Sequence, residues 1–257
     1  MQIQGHRPAH GTDADQADSA GGGGSVLTDA VLTAMERHLQ VTELVGGIAP
    51  SPYAGVGKNV LRAVLGYAGA PVRLWRQGKP ATGIGLGDSR IATVAVPGKI
   101  PLRPLRFSLV DVPDLRVIPA AHPGLQSLWI GAAPQPRFLH RLLTLIALAR
   151  ARLRLPSLAP LTPLAHWLLN LHPIGEHRGG MFLAARGHRG GQAASLSWHL
   201  LAEGDDGPLI PSMAVALLVG KMQQGLAPNP GARSGIGSLT LEDYATAFAG
   251  RSILTGW

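Results

Sequence analysis

The spacing of apolar residues predicts a helix near the start of the chain, followed by a strand, a loop and a second helix. Thr28 can cap a helix that runs to His38, because apolar side chains recur there at helical spacing. Residues 41–48 alternate between apolar and polar types, as a half-buried strand does. The Pro- and Gly-rich residues 50–57 are typical of a loop, and residues 58–67 place their apolar positions on one helical face. The first third of the chain is therefore expected to hold two helices and one strand.

Prolines and glycines recur every few residues between positions 71 and 133, where they separate short apolar segments. This spacing of prolines and glycines predicts a run of strands and turns without helices. The apolar segments are VRLW, IATVAV, LRFSLVDV, LRVI and LQSLWIGA.

The second half of the chain predicts two helices, a hairpin and two further helices. Residues 137–155 form one Leu- and Arg-rich helical pattern, and residues 160–171 a shorter one. The strand-like segments GGMFLAARG and ASLSWHLLA are joined by the turn GHRGGQ, which indicates a hairpin. A helix over residues 211–224 follows, and a last helix is expected to begin after Thr240 with reciprocal capping by Asp243.

This order of elements predicts an α+β fold, a mixed and largely antiparallel sheet with helices packed on one face. Residues 1–24 are polar, Gly-rich and aperiodic, so we expect them to be disordered. Residues 25–257 are then expected to form one domain, since 46% of the 257 residues are apolar.

Composition excludes several kinds of chemistry. The chain contains no cysteine, so disulfides, thiolate-zinc sites and a cysteine nucleophile are all excluded. The N-terminal segment has no apolar core region and no cleavage signature, so neither a secretory signal nor a membrane anchor is expected, which predicts a cytoplasmic protein. The formal charge of +8 comes from a shortage of acids, with arginines spread along the chain and aromatics at only 5%. We therefore expect no nucleic-acid binding.

The segment EGDDGPLIPSM, residues 203–213, is the first candidate site. Glu203, Asp205 and Asp206 end a predicted strand, and Ser212 lies at the start of an apolar helix. Free N–H groups at a helix start can bind an anionic ligand or a cofactor edge. The same residues can instead shape an Asx-type turn and cap the helix, and the residues alone favour that simpler interpretation.

The segment HPIGEHRGGM, residues 172–181, is the second candidate. Arg178 precedes Gly179 and Gly180, so a guanidinium lies beside open backbone N–H groups and could bind a carboxylate or phosphate. A plain turn with one exposed arginine is the alternative. The His and Glu spacing departs from that of a zinc-protease helix, so no metal site is expected. The glycines of GVGKN and GIGLGD match neither a Walker loop nor a dinucleotide fingerprint.

Residues 137–171 are the most apolar stretch of the chain and also carry several arginines. This composition is typical of a helix lying on an anionic bilayer surface, and prolines and arginines interrupt every window long enough to span one. A buried helix pair or a dimer face is the alternative that the pattern favours.

Taken together, several segments resemble the C-terminal part of bacterial saccharopine-dehydrogenase-like oxidoreductases. The similar segments are residues 25–32 (SVLTDAVL), 61–75, 110–115 (VDVPDL), 177–181 (HRGGM), 198–225 and 228–244. In that family a Rossmann NAD(P)-binding domain comes first, and an α+β domain then closes over the nicotinamide and often forms the dimer contact. The first 24 residues cannot hold such a nucleotide-binding unit.

The resemblance therefore implies a substrate-side and dimerisation domain that binds no cofactor alone. It implies that NAD(P) is held by a separate Rossmann-domain chain or by a missing half of a truncated enzyme, or that the redox function has been lost. It also implies a homodimer. The implied substrate-cleft residues are Arg178, Gly179, Gly180, Trp198, Glu203, Asp205, Asp206 and Ser212. The implied neighbours of the nicotinamide are Gly24, Ser25 and Val26. No substrate and no catalytic residue is identified. The alternative function is a non-enzymatic module that uses residues 137–171 to bind a membrane surface or a protein.

Overall fold

A computed structural model describes residues 24–171, 175–226 and 233–257. Within these residues the chain forms seven α-helices and nine strands. The helices are α1 (Gly24–Glu36), α2 (Lys58–Tyr67), α3 (Asp114–Ala121), α4 (Arg137–Leu153), α5 (Thr162–Leu171), α6 (Ile210–Gln223) and α7 (Leu241–Phe248). The strands are β1 (Gln40–Ala49), β2 (Pro71–Arg76), β3 (Lys79–Ile84), β4 (Ser89–Ala92), β5 (Leu105–Leu109), β6 (Ser127–Ala132), β7 (Arg178–Arg189), β8 (Gln192–Glu203) and β9 (Ile253–Gly256).

The strands form one sheet in which β1 is central. Its main path runs β3-β2-β6-β1-β7-β8-β9, with β5 pairing to β6 and β4 pairing to β5. Only the β1–β6 pair is parallel among the described strands, and every other described pair is antiparallel. The predicted α+β class, with a mixed and largely antiparallel sheet that carries helices, is confirmed.

The β7–β8 hairpin is the longest ladder of the sheet and matches the predicted hairpin. It runs from the pair Arg178–Glu203 to the pair Arg189–Gln192. The two-residue loop consists of Gly190 and Gly191, whose φ angles are +57° and +80°. Positive φ at both central residues is the type I′ geometry that matches the twist of a hairpin, so the glycines fix the register.

Gly47 allows close packing across β1. A Cβ on Gly47 would lie 2.4 Å from the ring of Phe182 and 2.5 Å from the ring of Phe107. The two rings meet edge to face with centroids 5.0 Å apart, a favourable arrangement for aromatic pairs. The aromatic core therefore lies directly against the backbone of the central strand.

Helix α1 is the centre of the helical layer. It packs against α3, α6 and α7 as well as against β1 and β7. Ten of its thirteen residues are buried, including the polar side chains of Ser25, Thr28 and Asp29. The position of α1 therefore depends on contacts with elements spread between residues 40 and 248.

The structure corrects several details of the predicted elements. The segment LRVI belongs to helix α3, because Leu115 and Ile118 lie three residues apart and are both buried. Strands β3 and β9 were not predicted. Helix α1 already includes Gly24, and the Thr28 hydroxyl donates to the Gly24 carbonyl from inside the helix instead of capping it. Residues 1–23, for which disorder was predicted, lie outside the described residues.

Candidate functional site

An apolar cavity of about 240 Å³ lies where four backbone segments converge. These segments are the start of α1, the end of β1 with the loop after it, the start of β7 facing β8, and the turn that leads into α6. The cavity wall consists of Gly24, Leu27, Ile48, Ala49, Pro50, Ser51, Ala54, Gly179, Gly180, Met181, Leu200, Ala202, Gly204, Gly207, Pro208, Ile210 and Pro211. Small and apolar residues thus form a pocket suited to an uncharged, compact group.

Three of the predicted site residues meet in this wall, namely Gly24, Gly179 and Gly180. Glycine is needed at the last of these, because a Cβ on Gly180 would lie 2.6 Å from the carbonyl oxygen of Leu200. The β7 backbone therefore approaches β8 closely on one side while it borders the cavity on the other.

The Asp206 carboxylate holds the 203–206 turn in place. Asp206 accepts a hydrogen bond of 2.6 Å from the Ser252 N–H, and its other oxygen lies 3.6 Å from Arg251. Neither the 3₁₀ turn after Asp206 nor α6 has a side-chain cap, so the interpretation of this turn as a helix cap is wrong. Asp206 instead ties the turn to the segment that follows α7.

Glu203 pairs through its backbone, donating its N–H to the Ser252 carbonyl. Ser212 lies exposed in the first turn of α6, where its hydroxyl donates to the Leu209 carbonyl at 2.7 Å. Both residues therefore lie beside the cavity without lining it.

Arg178 uses its guanidinium in local bonds. It donates to the Ile100 carbonyl at 2.7 Å and lies 2.5 Å from the carboxylate of Glu176. These contacts fasten the start of β7 to the loop between β4 and β5. The guanidinium therefore supports the Gly179–Gly180 wall from outside the cavity.

The remaining predicted residues lie in the core. Trp198 is fully buried, and Val26 is buried in α1. The Ser25 hydroxyl is buried as well and donates to Asp114 at 2.8 Å, which joins α1 to α3. The structure thus separates these three side chains from Gly24, which does border the cavity.

A polar group beside the cavity was missed in the sequence. His177 lies 3.5 Å from Asp205, and the Tyr53 ring packs against the imidazole with centroids 4.5 Å apart. The His177 carbonyl also accepts from the N–H of Gly204, which lines the cavity. His177 lay within the HRGGM segment, but no spacing rule connects it to Tyr53, which lies 124 positions earlier in the chain.

A second titratable cluster is buried beneath α1. His122 contacts Asp29 at 2.8 Å through Nε2 and Glu36 at 3.0 Å through Nδ1. Asp29 also accepts from the Gly237 N–H at 2.8 Å. Burial alone would lower the pKa of His122, but the hydrogen bonds to Asp29 and then Glu36 raise it to about 9. The imidazolium is thus a structural cation that joins α3, α1 and the C-terminal segment.

A third group lies under the start of α4. The Ser108 hydroxyl and His140 Nε2 are 2.9 Å apart, and both residues are buried. Burial and the nearby Arg106 lower the pKa of His140 to about 4. The ring is therefore neutral at physiological pH and shares one hydrogen bond with Ser108.

Across residues 24–171, 175–226 and 233–257, no three His, Cys, Asp or Glu side chains are grouped so that they could bind a metal ion. In the same residues, no helix combines the length and apolar character that crossing a membrane requires.

No protein-family model matches the sequence, and no curated protein matches it. Among solved structures, the chain is similar to apo histidine-tagged saccharopine dehydrogenase (L-Glu forming) from Saccharomyces cerevisiae. The TM-score is 0.53 with 12% sequence identity, over 90% of this chain and 70% of that chain. At this identity the likeness concerns the fold alone, so the chain has a distant saccharopine-dehydrogenase-like fold.

Proposed function

We propose that this chain is the substrate-side domain of an NAD(P)-dependent oxidoreductase and that a separate nucleotide-binding domain supplies the cofactor. The apolar cavity carries the proposal, because it joins the start of α1 to the Gly179–Gly180 wall and the 204–211 turn. The family resemblance assigns these same segments to the cleft beside the nicotinamide. The saccharopine-dehydrogenase-like fold supports this assignment at the level of architecture.

The outer face of α6 supports the need for a second domain. Its start lines the cavity, and Val215, Val219 and Met222 continue from there as an apolar stripe that is about half exposed. The inner face of the same helix buries Met213 and Ala214. A helix that is apolar on both faces is normally covered on both. We therefore assign the outer stripe to the contact with the nucleotide-binding domain.

His177 is the proposed polar group at the reacting end of the substrate. It lies two residues before Gly179 in sequence and can exchange a proton, and its ring packs against Tyr53 and lies 3.5 Å from Asp205. The apolar cavity would hold the non-reacting part of the substrate. The cofactor would accept or donate the hydride. His177 would accept the proton from the substrate heteroatom in one direction and donate it in the other.

Nucleotide binding is the first test. NADPH should leave the melting temperature of the chain alone unchanged, because a ligand stabilises only the protein that binds it. The chain mixed with its nucleotide-binding partner should be stabilised by NADPH. A clear rise in melting temperature for the chain alone would contradict the proposal.

Filling the cavity is the second test. Ala54 is exposed at the cavity wall, so Ala54→Trp should obstruct the pocket with little effect on the core. In the reconstituted pair this variant should lose turnover and keep its affinity for NADPH. Ala120→Trp, on an exposed position of α3, is the matched control. Equal turnover in both variants would show that the cavity does not hold the substrate.

A further inference from the structure

The outer face of α4 is an exposed apolar stripe. Phe138, Leu142, Leu145 and Leu153 follow one another at helical spacing and are exposed by 66%, 50%, 64% and 65%. The opposite face of the helix is buried at His140 and Ala147. Side chains of this size at such spacing on the solvent side of a helix indicate a surface that binds something.

The charge around this stripe has one sign. Residues 115–175 contain no acidic residue. Arg141 and Arg152 are exposed on α4 and lie together along one edge of the stripe on the helical wheel. A surface that combines an apolar stripe with flanking arginines is complementary to an anionic interface that has an apolar interior.

A basic pocket of about 250 Å³ lies at the N-terminal end of the same helix. Its polar wall is formed by Arg106, Arg137, His140 and Arg141, and no carboxylate lines it. Among the described residues, none of the three arginines forms an ion pair with an acid. The helix also begins without a side-chain cap, so its first N–H groups add to the positive potential. This pocket is suited to a phosphate group.

Helix α5 continues the apolar character beyond α4. Leu164, Trp167 and Leu168 are each more than half exposed, and they cluster on one side of the helix. Tryptophan is enriched at the boundary between headgroups and acyl chains. Both α4 and α5 therefore expose side chains that are suited to the interface of a membrane.

We propose that α4 and α5 bind the surface of an anionic phospholipid membrane. The pocket of Arg106, Arg137 and Arg141 holds a headgroup phosphate, and the stripe of α4 enters the acyl boundary. The uncompensated arginines favour this partner over a second copy of the chain, because two copies meeting through this face would bring like charges together. The protein is held at the surface, since no described helix can cross the membrane.

Vesicle co-sedimentation of the full chain tests the proposal. The chain should bind vesicles that contain phosphatidylcholine and about one third phosphatidylglycerol, and should not bind phosphatidylcholine alone. The double variant R137Q/R141Q should bind about thirtyfold more weakly, since each arginine near the surface contributes roughly a factor of five. The variant R186Q/R189Q removes the same charge from the end of the β7–β8 hairpin and should bind like the original chain.

The apolar half of the proposal needs its own variant. L142Q/L145Q changes two exposed side chains, so its thermal unfolding should match that of the original chain, while its vesicle binding is lost. Sedimentation velocity on the same variants tests whether a second copy of the chain covers this face instead of a membrane. Loss of a dimer in L142Q/L145Q, without vesicle binding by the original chain, would assign the face to self-association and overturn the proposal. Equal vesicle binding by R137Q/R141Q and R186Q/R189Q would overturn it as well.

Discussion

Stability should fall as pH rises through the titration of His122. The pKa of this ring is raised from 6.5 to about 9 by the network with Asp29 and Glu36, which outweighs the effect of burial. A raised pKa means that the folded chain holds the proton more tightly than the unfolded chain does. The stabilisation is complete below pH 6.5 and is lost as pH rises through about 9. At about 1.4 kcal/mol per pKa unit, the expected loss is about 3 kcal/mol.

Urea unfolding at pH 6 and at pH 10 measures this loss. The difference in unfolding free energy between the original chain and His122→Gln should shrink by about 3 kcal/mol over that interval. His188→Gln is the matched control, because His188 is an exposed imidazole on β7. His188→Gln should show the same pH dependence of unfolding free energy as the original chain. The difference between His122→Gln and the original chain therefore reports the titration of His122 and not the general effect of pH on a basic chain.

The titration of His122 can also be followed directly by NMR of the imidazole nitrogens. A midpoint near 6.5 would refute the reasoning, because it would mean that Asp29 and Glu36 do not stabilise the imidazolium. An identical pH dependence in the original chain and in His122→Gln would have the same meaning. A midpoint near 9 together with parallel curves for His188→Gln would agree with the structure.

Four further substitutions test individual contacts through urea unfolding. Gly180→Ala should destabilise the chain by about 1–3 kcal/mol, since its Cβ would lie 2.6 Å from the Leu200 carbonyl oxygen. Gly220→Ala, in α6 with no atom within 4 Å of its added Cβ, should instead stabilise the chain by about 0.5–1 kcal/mol; a loss would show that the position is crowded. Thr240→Ala removes the capping box of α7 and should cost about 1 kcal/mol, whereas an unchanged midpoint would mean that the cap contributes nothing. The pKa of His140 is lowered to about 4 by burial and a nearby guanidinium, so stability should fall as pH drops from 6.5 towards 4, and His140→Gln should remove that acid sensitivity.

Elements with a strong local pattern could be predicted from the sequence. The hairpin was marked by two alternating segments around a Gly-Gly turn, and α7 by Thr240 and Asp243 at capping distance. Helix α3 was missed because LRVI is too short for its period to be read alone. Its two apolar positions become a helical face only through packing against α1, which is a tertiary contact.

The candidate site was predicted in part. Gly179 and Gly180 stood out because glycines beside Arg178 suggested close approach to a ligand, and they do line the cavity. The pairing of His177 with Tyr53 and the network of His122 with Asp29 depend on long-range contacts that no spacing rule reports. Local sequence thus indicated where the backbone packs closely, and the structure was needed to show which titratable side chains contact each other.

The central place of β1 also governs when the sheet can assemble during synthesis. Residues 40–49 leave the ribosome early, but their partners in β6 and β7 begin at positions 127 and 178. At roughly 5–20 residues per second, β1 waits about 7–28 seconds for both neighbours. Its two open edges can meet other chains during that interval. Protease resistance of nascent chains should therefore appear only after β7 has emerged, and slowed translation before that point should increase aggregation.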